Sequence, residues 1–269
     1  MGTFGVWASG SAFEGPEGVA AIREAEQLGY DTFWISDAPD MLSTARTLLD
    51  ATSTIRVGTS IVNIWNMPVA DVNRRFPELA TDRFLLGVGA GHRERNDGYT
   101  SPFDALTSFV DELVVPKERR FLAALGPKVL QLAGERAAGA IPYLTTPEHT
   151  ARAREILGPD PFLGPEHAVI LNEDPVQARA LGRQFVGIYL TLRNYTNNLL
   201  RLGFTEADLA DGGSDRLVDE LVYWGSPQQV AAKLRRHHEA GADHVAIQFL
   251  TPDRGLAPDQ TRLLAPALF

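Results

Sequence analysis

Gly87, Gly89 and Gly91 lead directly into His92, Arg93 and Glu94. Glycine lets the backbone turn sharply and approach another group closely. An imidazole with its ordinary pKa of about 6.5 gives or takes a proton near neutrality, which makes His92 the candidate for proton transfer. A second chemical place is Leu125, Gly126, Pro127 and Lys128. Proline suits the first turn of a helix, and a helix start offers an anion free N–H groups and the positive end of the dipole. Gly126 leaves room there, and Lys128 adds a charge in a chain whose only other lysines are Lys117 and Lys233. Thr145 and Thr146, ahead of Pro147, are a lesser candidate for the same role. An ordinary strand–loop junction and a Pro-capped helix start with a solvated lysine would use the same residue types. Other chemistries lack their residues. No cysteine is present, and no His/Asp/Glu group has metal-ligand spacing, so no metal is expected. No GxSxG elbow occurs, and Gly87-Val88-Gly89-Ala90-Gly91 has the wrong spacing for a dinucleotide fingerprint.

These residues need elements to hold them. Phe84 to Val88 is a short run, apolar on both faces, and reads as a strand buried on two sides. Strands are also predicted at Thr3 to Ala8, Asp31 to Ile35, Ile55 to Val62, Arg120 to Ala124, Ala140 to Leu144, Glu166 to Leu171 and Asp243 to Leu250. Helices are predicted between them. They include Glu17 to Leu28, Met41 to Thr52, a weak third helix from Pro68 to Ala80 interrupted by Pro77, and a long one from Asp174 to Leu202. Eight βα-type units without a linker predict one (β/α)8 TIM-type barrel over residues 1–269 rather than an open sheet. In a barrel, function sits where strands end. That singles out Trp7, Asp37, the run from Ser60 through Ile61 and Asn63 to Trp65, the run Gly89 to Glu94 with Gly91 and His92, the Leu125–Lys128 turn, Tyr143 to Thr146, and Asn172 to Asp174. His244 starts a strand and is predicted structural; His149, inside a helix, is predicted at the surface. Trp7 and Trp65, with Tyr195 from the long helix, suggest an apolar or planar substrate.

Composition narrows the partners. A net charge of −9 argues against nucleic acid. No apolar run approaches a membrane span, and the opening residues MGTFGVW show no signal-like pattern. A soluble cytoplasmic protein acting on a small molecule is the expectation.

Five segments, in order, resemble the bacterial luciferase-like flavin and deazaflavin oxidoreductases, most closely the subset that uses coenzyme F420. They are Phe33 to Ala38 (FWISDA), Ile55 to Trp65 (IRVGTSIVNIW), Arg83 to His92 (RFLLGVGAGH), Leu122 to Ala153, and Trp224 to Gln248. The resemblance covers essentially the whole chain. It implies a luciferase-like barrel, a cis peptide at Ser60-Ile61 backing the cofactor ring, and Asp37, Asn63, Gly91 and His92 lining that ring. It places the cofactor phosphate at Leu125, Gly126, Pro127 and Lys128, and it implies hydride transfer. A homodimer is the family's expectation. The chain departs from sugar-phosphate-oxidising members, with Ala38 where they carry a catalytic histidine and His92 where they carry glutamate. Ala138 stands where the family often has aspartate, and the third helix is short. The alternatives are an FMN-dependent monooxygenase of the same fold and a barrel that binds the cofactor without catalysis. A phosphate-binding lyase or isomerase would need a lysine or paired carboxylates inside the mouth, which no strand end supplies.

Overall fold

The computed structural model describes residues 2–10, 15–96, 100–252 and 255–269. Its strands are β1 (Phe4–Ser9), β2 (Thr32–Ser36), β3 (Arg56–Thr59), β4 (Val62–Asn63), β5 (Phe84–Gly89), β6 (Arg120–Leu122), β7 (Gly139–Ala140), β8 (Phe162–Leu163), β9 (Glu166–Ile170), β10 (Val222–Trp224) and β11 (Val245–Phe249). All pairings among them are parallel. From β1 the sheet runs through β2, β3, β5, β6 and β7 to β8; in the other direction it runs through β11 to β9. β8 and β9 are one stretch of chain bent at Gly164-Pro165. Its first half pairs with β7 and its second with β11, so the sheet closes into a barrel through that bend. The predicted eight-unit parallel barrel is therefore the fold. β4 continues β3 beyond Ser60-Ile61, whose peptide is cis.

Alternation along the strands builds two apolar layers, because successive side chains point to opposite faces. Trp7, Trp34, Leu85, Phe121, Ile141 and Ala246 pack together inside the barrel. Phe33, Ile35, Val57, Leu86, Val88 and Ile247 belong to the outer core beneath the helices. Gly58 makes room for the inner layer: a Cβ there would lie 2.4 Å from the Trp34 ring. Proline opens the helices Pro16–Gln27, Pro102–Glu112, Pro127–Arg136, Pro147–Leu157, Pro175–Tyr189, Pro227–Glu239 and Pro258–Leu268. Its missing N–H costs nothing at that position. The third helix is short as expected, Val69–Arg75, and Pro77 lies in the 3-10 turn Phe76–Leu79 that follows.

Several elements differ from the sequence reading. The sixth strand ends at Ala140, since Pro142 has no N–H to pair and Leu144 turns to a φ of +54°. The long helix is two, Pro175–Tyr189 and Arg193–Arg201, broken at residues 190–192. The two-residue β8 and the three-residue β10 are too short to show periodicity. The helices Glu206–Leu209, Asp215–Leu221 and Pro258–Leu268 complete the wall, and sequence reading missed them. Among the described residues, no helix is long and apolar enough to cross a membrane.

Candidate active site

Trp7, two residues before the end of β1, lies inside the barrel and donates its Nε1–H to Ser60 Oγ at 3.1 Å. Its ring lies 5.3 Å from that of Tyr143. The Tyr143 hydroxyl donates to Gln248 Oε1 at 2.9 Å and meets the Tyr189 hydroxyl at 2.7 Å. Tyr189 packs edge-on against Tyr195 at 5.3 Å, and Tyr195 lies the same distance from His92. The break between the two helices is what turns Tyr189 and Tyr195 toward each other. An unbroken band of rings and hydroxyls thus joins the ends of β1, β3, β5 and β7. Trp7, Ser60, Tyr195 and His92 were predicted site residues. Tyr143 was a strand-end candidate; Tyr189 and Gln248 were not singled out, because their roles depend on contacts across more than 40 residues of chain.

His92 Nδ1 is 3.0 Å from Asn194 Oδ1, an oxygen that only accepts, so the imidazole carries its proton there and leaves Nε2 to act. Burial lowers its pKa below the ordinary value against the opposing pull of the Asn194 bond, which keeps the ring neutral at pH 7. Beside it, Glu94 accepts from the Arg193 N–H at 3.4 Å. The loop after β5 is thereby held against the helix Arg193–Arg201.

The glycines serve packing more than ligand approach. A Cβ on Gly87 would lie 2.1 Å from the Thr59 carbonyl oxygen. Gly91 takes a φ of +59°, and a Cβ there would lie 2.8 Å from Asn63 Nδ2. Asn63 is itself committed: Nδ2 donates to Asn96 Oδ1 at 2.8 Å, and Oδ1 accepts from the Trp65 N–H at 3.1 Å. The Trp65 indole donates to the Ala90 carbonyl at 2.6 Å. Asn63, Trp65 and Gly91 therefore form a self-bonded loop knot. Ile61 packs against the inner barrel layer beside Gly89.

The fifth βα turn is open. Gly126 caps the helix Pro127–Arg136 with no side-chain bond, a Cβ on it would meet nothing within 4 Å, and Lys128 is exposed in the first turn. His149 donates Nε2–H to the Leu125 carbonyl at 2.9 Å and fixes the turn from behind. This corrects the surface placement of His149, which is 3% exposed. Thr145 and Thr146 are also buried, and Thr146 caps the helix Pro147–Leu157 by accepting from the His149 N–H. His244 is structural as predicted, bonding the Gly2 carbonyl at 2.7 Å and accepting from Trp34 Nε1 at 3.2 Å.

Asp37 is exposed at the end of β2 with a φ of +50°. It lines a cavity of about 330 Å³ together with Trp7, Tyr189 and Gln248. Below this mouth Glu166 is buried, and burial pushes its pKa up to about 8. Its Oε2 accepts the Leu144 N–H at 3.1 Å. No group of three or more His, Asp or Glu able to hold a metal exists among the described residues.

A closed parallel barrel carrying its polar groups where the strands end is the architecture of TIM-type barrel enzymes. The sequence matches the luciferase-like monooxygenase family model over residues 2–115 and 110–244, and the chain belongs to that family. No curated protein matches it in sequence. Among solved structures it resembles an F420-dependent secondary alcohol dehydrogenase bound to an F420-acetone adduct, at a TM-score of 0.75 and 14% identity over 100% of both chains. It also resembles a type II Baeyer-Villiger monooxygenase, the oxygenating constituent of the Pseudomonas putida 3,6-diketocamphane monooxygenase, in complex with FMN. There the TM-score is 0.69, at 16% identity over 100% of this chain and 99% of the other. A third likeness is the coenzyme F420-dependent tetrahydromethanopterin reductase of Methanopyrus kandleri. Its TM-score is 0.68, at 14% identity over 98% of this chain and 97% of that one.

Proposed function

We propose that the protein is a coenzyme F420-dependent oxidoreductase that moves a hydride to or from a small organic substrate. The observation that carries this reading is the open fifth βα turn of a luciferase-like barrel. Its uncapped helix start, empty approach at Gly126 and exposed Lys128 fit a phosphate-bearing tail. Leu125, Gly126, Pro127 and Lys128 would hold that phosphate. Ser60 and Ile61 would back the ring, with Asp37, Asn63, Gly91 and His92 around it. When bound, the deazaflavin supplies the hydride chemistry. The protein's part is to orient the substrate, exclude water and move one proton, for which His92 Nε2 is the proposed group. In the oxidising direction His92 Nε2 would take the hydroxyl proton of an alcohol, and in the reducing direction it would return one.

An FMN-dependent monooxygenase is the second reading, favoured by the family's description and by the FMN-bound neighbour. Titration of the purified protein with each cofactor, followed by absorbance and fluorescence, separates the two. Saturable binding of FMN without binding of the deazaflavin would overturn the first reading in favour of the second.

A further inference from the structure

The 330 Å³ cavity does not coincide with the proposed cofactor positions. It opens at the ends of β1, β2 and β11 and runs outward between the helices Pro16–Gln27 and Pro175–Tyr189 and the segment before the helix Pro258–Leu268. Of the proposed cofactor contacts only Asp37 lines it; Ser60 stands behind Trp7, which forms the shared wall. The outer walls carry Ala21, Leu181, Phe185 and Ile188, with Gln184 and the Arg262-paired Glu24 among them. Tyr189, Gln248 and Asp37 stand at the inner end. A cavity of this size with few convergent polar groups is how a small-molecule site looks.

The hydrogen-bond directions at the inner end define what fits. Tyr143 has one proton and donates it to Gln248 Oε1. Tyr189 must then donate to Tyr143, so the Tyr189 oxygen keeps its accepting lone pairs. With its oxygen occupied, the Gln248 amide has its N–H groups left to give. A donor and an acceptor side by side complement a hydroxyl; the donor alone serves a carbonyl. No lysine or arginine lines the cavity among the described residues. Its carboxylates are Glu24, paired to Arg262 at 2.6 Å, and Asp37, which has no cationic partner among the described residues. An anion entering there meets negative charge without compensation.

We propose that this cavity is a small-molecule site beside the proposed ring place, set apart from it and from His92 by Trp7, and that it takes a neutral, largely apolar molecule headed by a hydroxyl or carbonyl. The head lies at Tyr189 and Gln248, and the body lies outward along Ile188 and Leu181. Anionic molecules are rejected.

Three probes sharing one bicyclic body test this: 2-decalol, 2-decalone and decalin-2-carboxylate, titrated calorimetrically at pH 7.5 into the whole protein without cofactor. The alcohol and ketone are expected to bind at least about tenfold more tightly than the carboxylate. Tyr189→Phe should weaken the alcohol severalfold and leave the ketone unchanged, since only the alcohol donates to the lost oxygen. Ile188→Trp fills the chamber and should abolish decalol binding with the far-UV circular dichroism unchanged. Leu181→Trp is the second filling variant, should the first fail to fold. Equal affinity for the carboxylate, or wild-type decalol binding in both filled variants, overturns the proposal. Decalol binding by a protein that takes up neither deazaflavin nor FMN supports the chamber and removes the oxidoreductase reading alone.

Discussion

Lys128 and His92 are asked to do different work, and their surroundings suit the difference. Lys128 is exposed and makes no ion pair among the described residues, so it attracts an anion at long range through solvent. Lys128→Ala should weaken deazaflavin binding about fivefold at low salt, and less at high salt where the charge is screened. Fluorescence titrations at two ionic strengths check both parts; equal affinity for variant and wild type at low salt would move the phosphate elsewhere. His92 is half-buried, and burial holds its pKa below the ordinary histidine value. As a base in substrate oxidation it should give kcat/KM an acid limb that begins below pH 6.5. His92→Gln should lower turnover by about a hundredfold and erase that limb. Full turnover in this variant would show that the proton moves by another route. Glycine runs and a histidine at a strand end were visible in the sequence. That Gly91 makes room for Asn63 and Asn96 was not, because close approach is a relation between two segments.

At the scale of elements, the turn after β7 depends on Glu166. A bulky residue at positive φ is held where the structure around it is over-determined. Here the buried carboxyl group takes the Leu144 N–H, and Tyr143 is set in place one residue earlier. Glu166→Leu leaves that N–H unpaired in the interior and should cost about 1–3 kcal/mol in urea unfolding. Glu166→Gln keeps an acceptor and should cost less; equal losses would show that volume and not the bond matters. The sequence marks Glu166 only as the start of a strand. Its place near the mouth follows from the Gly164-Pro165 bend, where one strand changes neighbours and closes the barrel. The proline-led helix starts at Pro102, Pro127, Pro147, Pro175 and Pro227 were legible because proline acts locally. The break at residues 190–192 was not, because it lies inside a continuous helical pattern.

For the whole molecule, buried titrating groups set the pH range of stability. His149, His167, His237 and His244 are buried, and burial lowers the pKa of each, to about 3 for His237 and about 4 for His244. Above about pH 6.5 both folded and unfolded chains hold them neutral; below it only the unfolded chain takes up protons, so stability is lost as pH falls. Each contributes up to about 1.4 kcal/mol per pH unit in that window. Glu166 has the opposite sign. Between its unfolded pKa, about 4.3, and its folded value near 8, only the folded chain keeps the proton, so stability falls as pH rises. Urea midpoints from pH 4 to 9 should therefore peak near 6.5, and Glu166→Gln should flatten the alkaline side. A wild-type profile level from pH 6.5 down to 4.5 would contradict the burial of the histidines. The sequence by itself determined the parallel barrel, because apolar runs and helical spacing are local signals that recur in eight βα-type units. It also pointed to the strand ends as the place of chemistry. Tertiary structure alone decided which strand-end groups meet. The Tyr143–Tyr189–Gln248 cluster, the exposure of Lys128 against the burial of Thr145 and Thr146, and the chamber beside Trp7 all arise from contacts distant in sequence. No local pattern encodes such distances; they exist only once the ring is closed.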